Sequence, residues 1–535
     1  MATLGDVRRW NAEPLNTAVG ELNRRYDQLM GLADELAAAC QPSGWVGDAA
    51  YNAATSARKR TDRLEEQVAG VAAVRRALAE TADAITGLHH AIAEIDSLAR
   101  ANGLLVADNG AIVNQDWAGV VHDLDRVKVE LADRVEQVMR RANAIDEDLT
   151  TVVNRARTSQ TLDGDVDGLT SAAQAGTASG GLTNGPPAGG SPFDNAGWWD
   201  ALSDAEKQRI IKEHPEWIGN LDGVPAAARD AANRARLPGE RAAIQKQLDE
   251  LEARLRELSL PEHTEYMKIK AKLASIDAIS GILSKSNERQ LLLLDMSGDR
   301  AKAAIGTGNI DTADHVAVYT PGMNSTVNGN LEGYVRDANQ LRVLAEQEMK
   351  KVGNGATVAA VAWLGYEPPS GGENPQDLLG EGLARDGANR LAPFLNGIDA
   401  SRDKDPHLTA LGHSYGSLTT GLALQQKTGV DEAIVFGSPG LGTSDPAKIQ
   451  VTPGHLYNIE ADEDFVADLG HPAGHGADPS LLPIPQLSTH DAMTPDGRPL
   501  KASIGHSQYT WGDTTSQYNM AMIVAGMNDR VIPAR

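Results

Sequence analysis

Residues 407–437 read HLTALGHSYGSLTTGLALQQKTGVDEAIVFG, and this stretch decides the fold of the chain around it. The apolar run at residues 407–411 predicts a buried β-strand, and residues 417–426 have the apolar spacing of a helix. Between them, residues 412–416 read GHSYG and match the pattern G-x-S-x-G. Strand, sharp turn and helix together predict a nucleophile elbow, which raises the hydroxyl of Ser414 above the sheet edge.

The two glycines of the elbow have a steric role. We expect a Cβ at Gly412 or Gly416 to clash with neighbouring backbone, and the serine between them to be strained. The helix behind the turn points N–H groups and the positive end of its dipole at the same place. Because a chain with 53 glycines also produces G-x-S-x-G by chance, the prediction depends on its context. A second apolar run at residues 433–436, followed by GSPG, supports that context.

Composition limits the classes of function. With 535 residues the chain is too long for one ordinary core, so at least two domains are expected. A net charge of −24 disfavours a nucleic-acid partner and binding to anionic lipid by charge alone. The only cysteine, Cys40, excludes an intramolecular disulfide and a cysteine-based metal site.

The sequence predicts neither a transmembrane segment nor a Sec signal peptide. No apolar run approaches the roughly 18 residues of a transmembrane segment, and the first residues lack the apolar region of a signal peptide. We therefore expect a cytoplasmic protein, or one secreted by a non-Sec route.

Residues 1–158 predict an all-α antiparallel helical domain. Leu15, Leu22, Leu29 and Leu36 recur every seven residues, which is typical of a seam between helices. Such a row of leucines packs against another helix, either of the same chain or of a helical protein partner. Apolar stripes and a turn signal predict three long helices and a small hairpin, over residues 14–40, 48–100, 116–157 and 104–114.

The turn Trp45-Val46-Gly47 between the first two helices resembles that of the WxG-motif helical hairpins exported by type VII secretion systems. This resemblance implies a type VII-like route of export, although the tyrosine-x-x-x-acid export tag is absent. An ordinary helical bundle with a tryptophan packed at its corner is the alternative.

The composition changes twice after the helical domain. Residues 159–195 are rich in Gly, Ala, Ser, Thr and Pro, which predicts a flexible linker. Residues 196–535 form the second predicted domain, in which residues 239–285 predict an inserted helical hairpin with a break at Pro261. From residue 290 onward, short apolar runs alternate with helical patterns. This predicts a mostly parallel sheet with helices on both faces, as in an α/β-hydrolase.

A serine nucleophile needs a base, and the base needs a carboxylate that orients it. In an α/β-hydrolase the acid and then the histidine follow the serine along the chain. Asp464 is the preferred acid and Asp462 the alternative, since both follow a strand-like run and would lie at the carboxyl edge of the sheet. A solvated acidic loop is the other interpretation of this cluster.

His506 is the predicted base because it lies between a polar loop and the last helical pattern, at about residues 515–527. The competing histidines are His471, His475 and His490. Two N–H donors must stabilise the developing oxyanion. We expect them to be the backbone amides of Tyr415, next to the nucleophile, and of Met323, in the loop after the strand at residues 315–320.

Metals and cofactors are not expected. His471 and His475, with Asp468 and Asp478 nearby, fit no standard spacing of metal ligands. No phosphate-binding glycine loop stands between a strand and a helix, so no nucleotide cofactor is implied.

Over residues 198–237 and 290–525 the chain resembles an actinobacterial family of predicted α/β-hydrolases of undefined substrate. The resemblance rests on the segments WWDALSDAEK (198–207), TPGMNST (320–326), GHSYGS (412–417), FGSPG (436–440), DEDFVADLGHPAGHGADPS (462–480) and GHSQYTW (505–511). Members often carry an N-terminal helical region similar to this one. Where the family tends to read Asp-Pro-Val, this chain has Asp464-Phe465-Val466. The resemblance implies hydrolase chemistry and names no substrate.

The patterns together predict a serine hydrolase in which Ser414, Asp464 and His506 act on a carboxylic ester, thioester or lipid-like substrate through an acyl-enzyme. An interaction or effector protein associated with type VII secretion, with a catalytically incidental hydrolase domain, is the main alternative. A metal-dependent hydrolase is the second.

Overall fold

The structure is a computed structural model, and it describes residues 2–39, 46–115, 124–164, 166, 168–182, 185–370, 380–402, 404–468 and 475–534. The chain divides into two compact units. Unit 1 consists of Met1–Gly190 with Gly197–Arg209, and unit 2 of Ser191–Ala196 with Ile210–Arg535. Within the described ranges, no helix combines the length and the apolarity that crossing a bilayer requires.

Unit 1 is mainly helical. Its elements are α1 (Leu4–Arg8), α2 (Glu13–Ala39), α3 (Asp48–Ala101), β1 (Leu104–Val106), β2 (Ile112–Asn114), α4 (Leu124–Arg157) and α5 (Leu169–Ser179). The strands β1 and β2 pair antiparallel, with Leu104 opposite Asn114, as the hairpin prediction required. A core cluster joins side chains such as Leu88, Ile95 and Leu131 from α3 and α4. Cys40 and Trp45 lie outside the described residues, and the WxG turn therefore stays a prediction.

The segment predicted as a flexible linker contains helix α5, and here the structure differs from the prediction. A Cβ on Gly176 would lie 2.2 Å from the carbonyl oxygen of Ala69 in α3, and one on Gly180 would lie 2.2 Å from that of Ala73. The glycines and alanines of this segment thus allow two helices to approach closely. The chain passes between the two units at residues 190–210, along α6 (Pro192–Asp200) and α7 (Asp204–Glu213).

Unit 2 begins with a helical segment made of α8 (Pro215–Ile218), α9 (Ala226–Glu252) and α10 (Leu260–Ser284). The predicted hairpin at residues 239–285 starts too late, because α9 begins at Ala226 and continues through Pro238. Pro261 lies in the first turn of α10, where its missing N–H has no helical partner to lose. Ser259 and Glu262 form a capping box at the same end.

The sheet of unit 2 has eight strands in the order β10-β9-β8-β7-β5-β6-β4-β3. All neighbours from β10 to β6 are parallel, whereas β4 pairs antiparallel with β6 and with β3. The strands are β3 (Arg289–Asp295), β4 (Lys302–Thr307), β5 (His315–Thr320), β6 (Val358–Leu364), β7 (His407–His413), β8 (Glu432–Phe436), β9 (Leu456–Ile459) and β10 (Gln486–Leu487), with a separate pair β11 (Ala492–Met493) and β12 (Pro499–Leu500).

Helices cover both faces of this sheet. They are α11 (Val327–Lys351), α12 (Gly382–Ala400), α13 (Tyr415–Leu424), α14 (Phe465–Asp468) and α15 (Thr515–Val524). Successive side chains of a strand point to opposite faces, and along β5 Val316 and Val318 join one core cluster while Ala317 and Tyr319 join another. The mostly parallel sheet with two covered faces confirms the predicted fold class.

Candidate active site

Ser414 stands on the turn between β7 and α13, with φ 56° and ψ −133°. A positive φ is uncommon for a residue with a side chain, and it is the strain expected of the turn. The amide of Ser414 donates to the carbonyl of Phe436 at the end of β8, at 3.1 Å. Its carbonyl accepts from the hydroxyl of Ser417 at 2.6 Å. These bonds fix the serine at the carboxyl edge of the sheet.

The glycines of the turn have the steric role that the sequence predicts. A Cβ on Gly412 would lie 2.6 Å from the Cα of Ser417, and one on Gly416 would lie 2.3 Å from the carbonyl oxygen of Thr320. Atoms do not approach a real Cβ this closely, so each position accepts glycine alone without rearrangement.

His506 and Asp464 form a hydrogen-bonded pair. The Nδ1 of His506 lies 2.8 Å from Oδ1 of Asp464 and 3.0 Å from its Oδ2. The carboxylate is held further by the amides of Val466 and Ala467, which donate to Oδ1 at 3.1 and 3.3 Å. A neutral imidazole with its Nδ1–H on a carboxylate leaves Nε2 free to accept a proton.

Gly437 lies between the His506–Asp464 pair and the serine. It directly follows Phe436, whose carbonyl binds the Ser414 amide. A Cβ on Gly437 would lie 2.8 Å from Oδ2 of Asp464 and 3.1 Å from Nδ1 of His506. Serine, imidazole and carboxylate therefore border the same strand end. Among the described residues, Ser414 Oγ makes no hydrogen bond to the imidazole, a bond that in many enzymes tightens only with substrate present.

Two further side chains contact the His506–Asp464 pair, and the sequence analysis did not predict either of them. The hydroxyl of Tyr509 donates to Oδ2 of Asp464 at 2.6 Å. The Nε2 of His413 lies 2.9 Å from the carbonyl oxygen of His506, and the two rings stack with centroids 4.8 Å apart. Their only signal in the sequence was position, since one lies inside the elbow motif and the other three residues after the predicted base.

Burial and hydrogen bonding together set the pKa values of these groups. Burial alone would raise the pKa of Asp464, but the hydrogen bonds from His506 and Tyr509 outweigh it, so this pKa is lowered. Burial first, and the neighbouring His506 second, lower the pKa of His413 to about 4. Burial, with the hydrogen bond to Asp464, raises the pKa of the Tyr509 hydroxyl well above its ordinary range. Near neutral pH the site thus holds a carboxylate, a neutral His413 and a protonated phenol.

The loop after β5 lies directly against the elbow. A Cβ on Gly322 would lie 2.9 Å from the amide nitrogen of Tyr415. The amide of Asn324 donates to the carbonyl of Pro369 at 2.9 Å, whereas that of Met323 has no acceptor within the described part of the chain. Of the two neighbouring amides, that of Met323 is the one left available to a substrate oxygen.

The alternative residues lie elsewhere. The Asp462 side chain is 69% exposed and lies 3.6 Å from Nδ1 of His490, so the structure brings Asp464 rather than Asp462 to His506. The carbonyl of His475 accepts from the amide of Gly442, and its ring lies 5.9 Å from that of Tyr415. His471 lies outside the described residues.

The proposed metal ligands do not converge in the part of the chain that can be described. Asp478 caps a short turn by accepting from the amide of Ser480 at 2.8 Å. Among the described residues, no group of three or more His, Cys, Asp or Glu could hold a metal ion.

A mostly parallel sheet with a serine on a strained strand-to-helix turn at its carboxyl edge defines an α/β-hydrolase fold. Residues 297–473 match the model of a family described as alpha/beta hydrolase. An uncharacterized protein of Mycobacterium bovis is 36% identical over 231 residues, which are 42% of this chain and 86% of the relative. Uncharacterized proteins of Mycobacterium tuberculosis match with the same figures. The chain belongs to the alpha/beta hydrolase family.

Other proteins show lower sequence identity and match only part of this chain. Another uncharacterized protein of Mycobacterium tuberculosis is 30% identical over 301 residues, covering 53% of this chain and 45% of the relative. Among solved structures, a cold-adapted esterase from an Arctic intertidal metagenomic library has 13% identity and a TM-score of 0.27, covering 46% of this chain and 96% of its own. A hyperthermophilic esterase from Pyrobaculum calidifontis has 12% identity and a TM-score of 0.29, covering 55% and 97%. At these values the two structures carry no argument about activity.

Proposed function

We propose that this protein is a serine hydrolase that cleaves a carboxylic ester, thioester or lipid-like substrate through a triad of Ser414, His506 and Asp464. The observation that carries the proposal is the hydrogen bond of 2.8 Å between His506 Nδ1 and Asp464, formed at the strand end that also binds the amide of Ser414. The choice among substrates rests on the fold family alone.

In the first half of the reaction, Ser414 Oγ attacks the carbonyl carbon of the substrate while His506 Nε2 takes the hydroxyl proton. Asp464 stabilises the imidazolium that forms and keeps the ring in the correct orientation. The carbonyl oxygen becomes an oxyanion, for which the amides of Met323 and Tyr415 are the proposed donors. Collapse of this intermediate breaks the bond to the alcohol or thiol, which leaves with the proton from His506.

In the second half, water takes the place of the leaving group. His506 removes a proton from the water as its oxygen attacks the acyl-serine carbon, and the oxyanion forms again in the same place. Collapse returns the proton to Ser414 Oγ and releases the carboxylic acid. The cycle needs neither a metal nor a redox partner, and each proton passes through one imidazole.

A fluorophosphonate probe tests the proposal, because it phosphonylates an activated serine. The full-length protein should be labelled, and Ser414→Ala should abolish labelling. Ser284→Ala is the matched control, since Ser284 is exposed at the end of α10 and, among the described residues, its hydroxyl bonds to the carbonyl of Gly281 alone. Unlabelled but folded wild type, or labelling that survives Ser414→Ala, would contradict the assignment.

An unlabelled wild type would favour the second candidate, a protein that binds partners through its helical unit and is linked to type VII secretion. Support for that candidate comes from the turn at residues 45–47 and the leucine seam of α2. The same turn is the basis for proposing export by a type VII-like route rather than a cytoplasmic location.

A further inference from the structure

We propose that His413 and Tyr509 are positioning residues that hold the His506–Asp464 pair in place against Ser414. The inference rests on the proposed hydrolase function, which it deepens. His413 acts on the main chain of His506, and Tyr509 acts on the carboxylate of Asp464. Both side chains therefore act through the pair.

His413 connects the nucleophile to the base. It is the last residue of β7 and directly precedes Ser414. Since the carbonyl of His506 can only accept, Nε2 of His413 is the donor in their bond of 2.9 Å. The ring of His413 stacks on that of His506 at 4.8 Å and on that of Phe436 at 4.9 Å. The strand that carries the serine thus also fixes the backbone that carries the imidazole.

Tyr509 fixes the carboxylate. Its hydroxyl donates to Oδ2 of Asp464 at 2.6 Å and accepts from the amide of Ala461 at 3.0 Å, and the side chain is buried. With His506, Val466 and Ala467 donating to Oδ1, both carboxylate oxygens have donors. The phenol also takes up part of the negative charge that would otherwise face the imidazole. Tyr509 therefore sets the orientation of Asp464.

Charge explains why a histidine can occupy position 413. A cation stacked on His506 would oppose the imidazolium that the reaction forms. Burial keeps His413 neutral at working pH, with its pKa lowered to about 4. The other ionisable groups acting on this cluster are Asp464, Tyr509 and, through its charge, Glu460 at the end of β9.

Ordinary core packing is the competing explanation, and conservative variants separate the two. His413→Gln keeps an N–H donor near the position of Nε2, whereas His413→Phe keeps a stacked ring and loses the donor. With p-nitrophenyl acetate, we expect His413→Phe to lower kcat by about 10²-fold with KM nearly constant, as misplacement of a catalytic group does. His413→Gln should restore most of kcat. If packing alone matters, Phe is the better substitute, and that order of activities would overturn the role of His413.

Tyr509→Phe tests the other contact, with Tyr518→Phe as the matched control. Tyr518 is also a buried tyrosine of unit 2, and its hydroxyl has no hydrogen-bond partner among the described residues. Without the Tyr509 hydroxyl, Oδ2 of Asp464 loses a donor and the carboxylate holds His506 less firmly. We expect kcat to fall in Tyr509→Phe with KM nearly constant, and both constants to stay unchanged in Tyr518→Phe. An unchanged kcat in Tyr509→Phe overturns its role.

The positioning role can also be tested if the protein is not a hydrolase. If Ser414 is not a nucleophile, wild type neither hydrolyses the ester nor reacts with the probe, but the imidazole can still be observed by NMR with labelled histidine. The positioning role then predicts a His506 ring resonance that shifts in Tyr509→Phe but not in Tyr518→Phe. It also predicts that this resonance shifts in His413→Phe and less so in His413→Gln. Unchanged resonances would overturn the positioning role itself.

Discussion

Gly322 lies in direct contact with Ser414, because a Cβ on Gly322 would stand only 2.7 Å from the Cβ of Ser414. The loop that carries the Met323 amide and the turn that carries the serine therefore lie too close for a side chain at position 322. This separation is what would let amides from the two segments reach one oxygen atom. The close approach of the two segments thus requires glycine at position 322.

Gly322→Ala should inactivate the protein, measured on variant protein that circular dichroism shows to be folded. The added methyl group must push the 322–324 loop away from the elbow, which removes one oxyanion donor. Losing such a donor lowers kcat by about 10²–10³-fold, measurable with p-nitrophenyl acetate. Gly333→Ala is the control, since its Cβ meets nothing nearer than 3.6 Å in helix α11. Activity of Gly322→Ala equal to that of the control would contradict the donor role of this loop.

Gly416→Ala should destabilise unit 2, because its Cβ would collide with the carbonyl oxygens of Thr320 and Pro321 at 2.3 and 2.6 Å. Backbone at two strand ends would have to move, and we expect a loss of several kcal/mol or failure to fold, as for severe overpacking (about 1–3 kcal/mol or more). Gly239→Ala lies in helix α9 with nothing within 4 Å, and should gain about 0.5–1 kcal/mol. Urea denaturation curves compare the two; equal midpoints would refute the steric argument.

Asp464→Asn should change how stability depends on pH. The pKa of Asp464 is lowered in the folded state, so the native protein binds fewer protons there than the unfolded chain. The ionised carboxylate is stabilising above its unfolded pKa of about 4, and this contribution is lost as pH falls through the folded value. The difference in Tm between wild type and Asp464→Asn should be largest near neutral pH and shrink below about pH 4. A difference that grows on acidification would show that the sign is wrong.

Arg141→Met should destabilise unit 1. The guanidinium of Arg141 pairs with Glu206, and the two side chains are 5% and 4% exposed. Removing one partner leaves a buried charge, which costs about 3–5 kcal/mol. The adjacent Arg140→Met breaks a pair with Glu136 that is 55% exposed on both sides, and should cost less than about 1 kcal/mol. Chemical denaturation followed by far-ultraviolet circular dichroism measures both. A cost for Arg140→Met as large as for Arg141→Met would contradict the burial argument.

The parallel sheet was predictable because its strands carry strong local signals. The run VAAVAWL at β6 is buried along its whole length, and a strand covered on both faces must be continuously apolar. Chain order, with the position of Asp464 just after a strand, led to the proposal of Asp464 and His506 as partners of Ser414, and all three residues border one strand end.

The sequence left a choice open, or led to a wrong prediction, where one local pattern fits two tertiary outcomes. Small residues at 169–180 suit a flexible linker or a closely packed helix, and only the contact with α3 decides between them. Asp462 and Asp464 are two residues apart with the same side chain, yet the first faces His490 and the second His506. The contacts of His413 and Tyr509 join segments 93 and 45 positions apart, so no local pattern encodes them.

Gly437 has a practical consequence for protein engineering. Its φ is 53°, and a Cβ there would lie 2.8 Å from Oδ2 of Asp464, 3.0 Å from the ring of Tyr509 and 3.1 Å from Nδ1 of His506. In a library that randomises position 437 to change substrate preference, we expect most variants to be inactive for steric reasons, whichever substrate is tested. The exposed residues Phe465, Ile504 and Trp511 are better positions to vary, since their side chains are in contact with solvent.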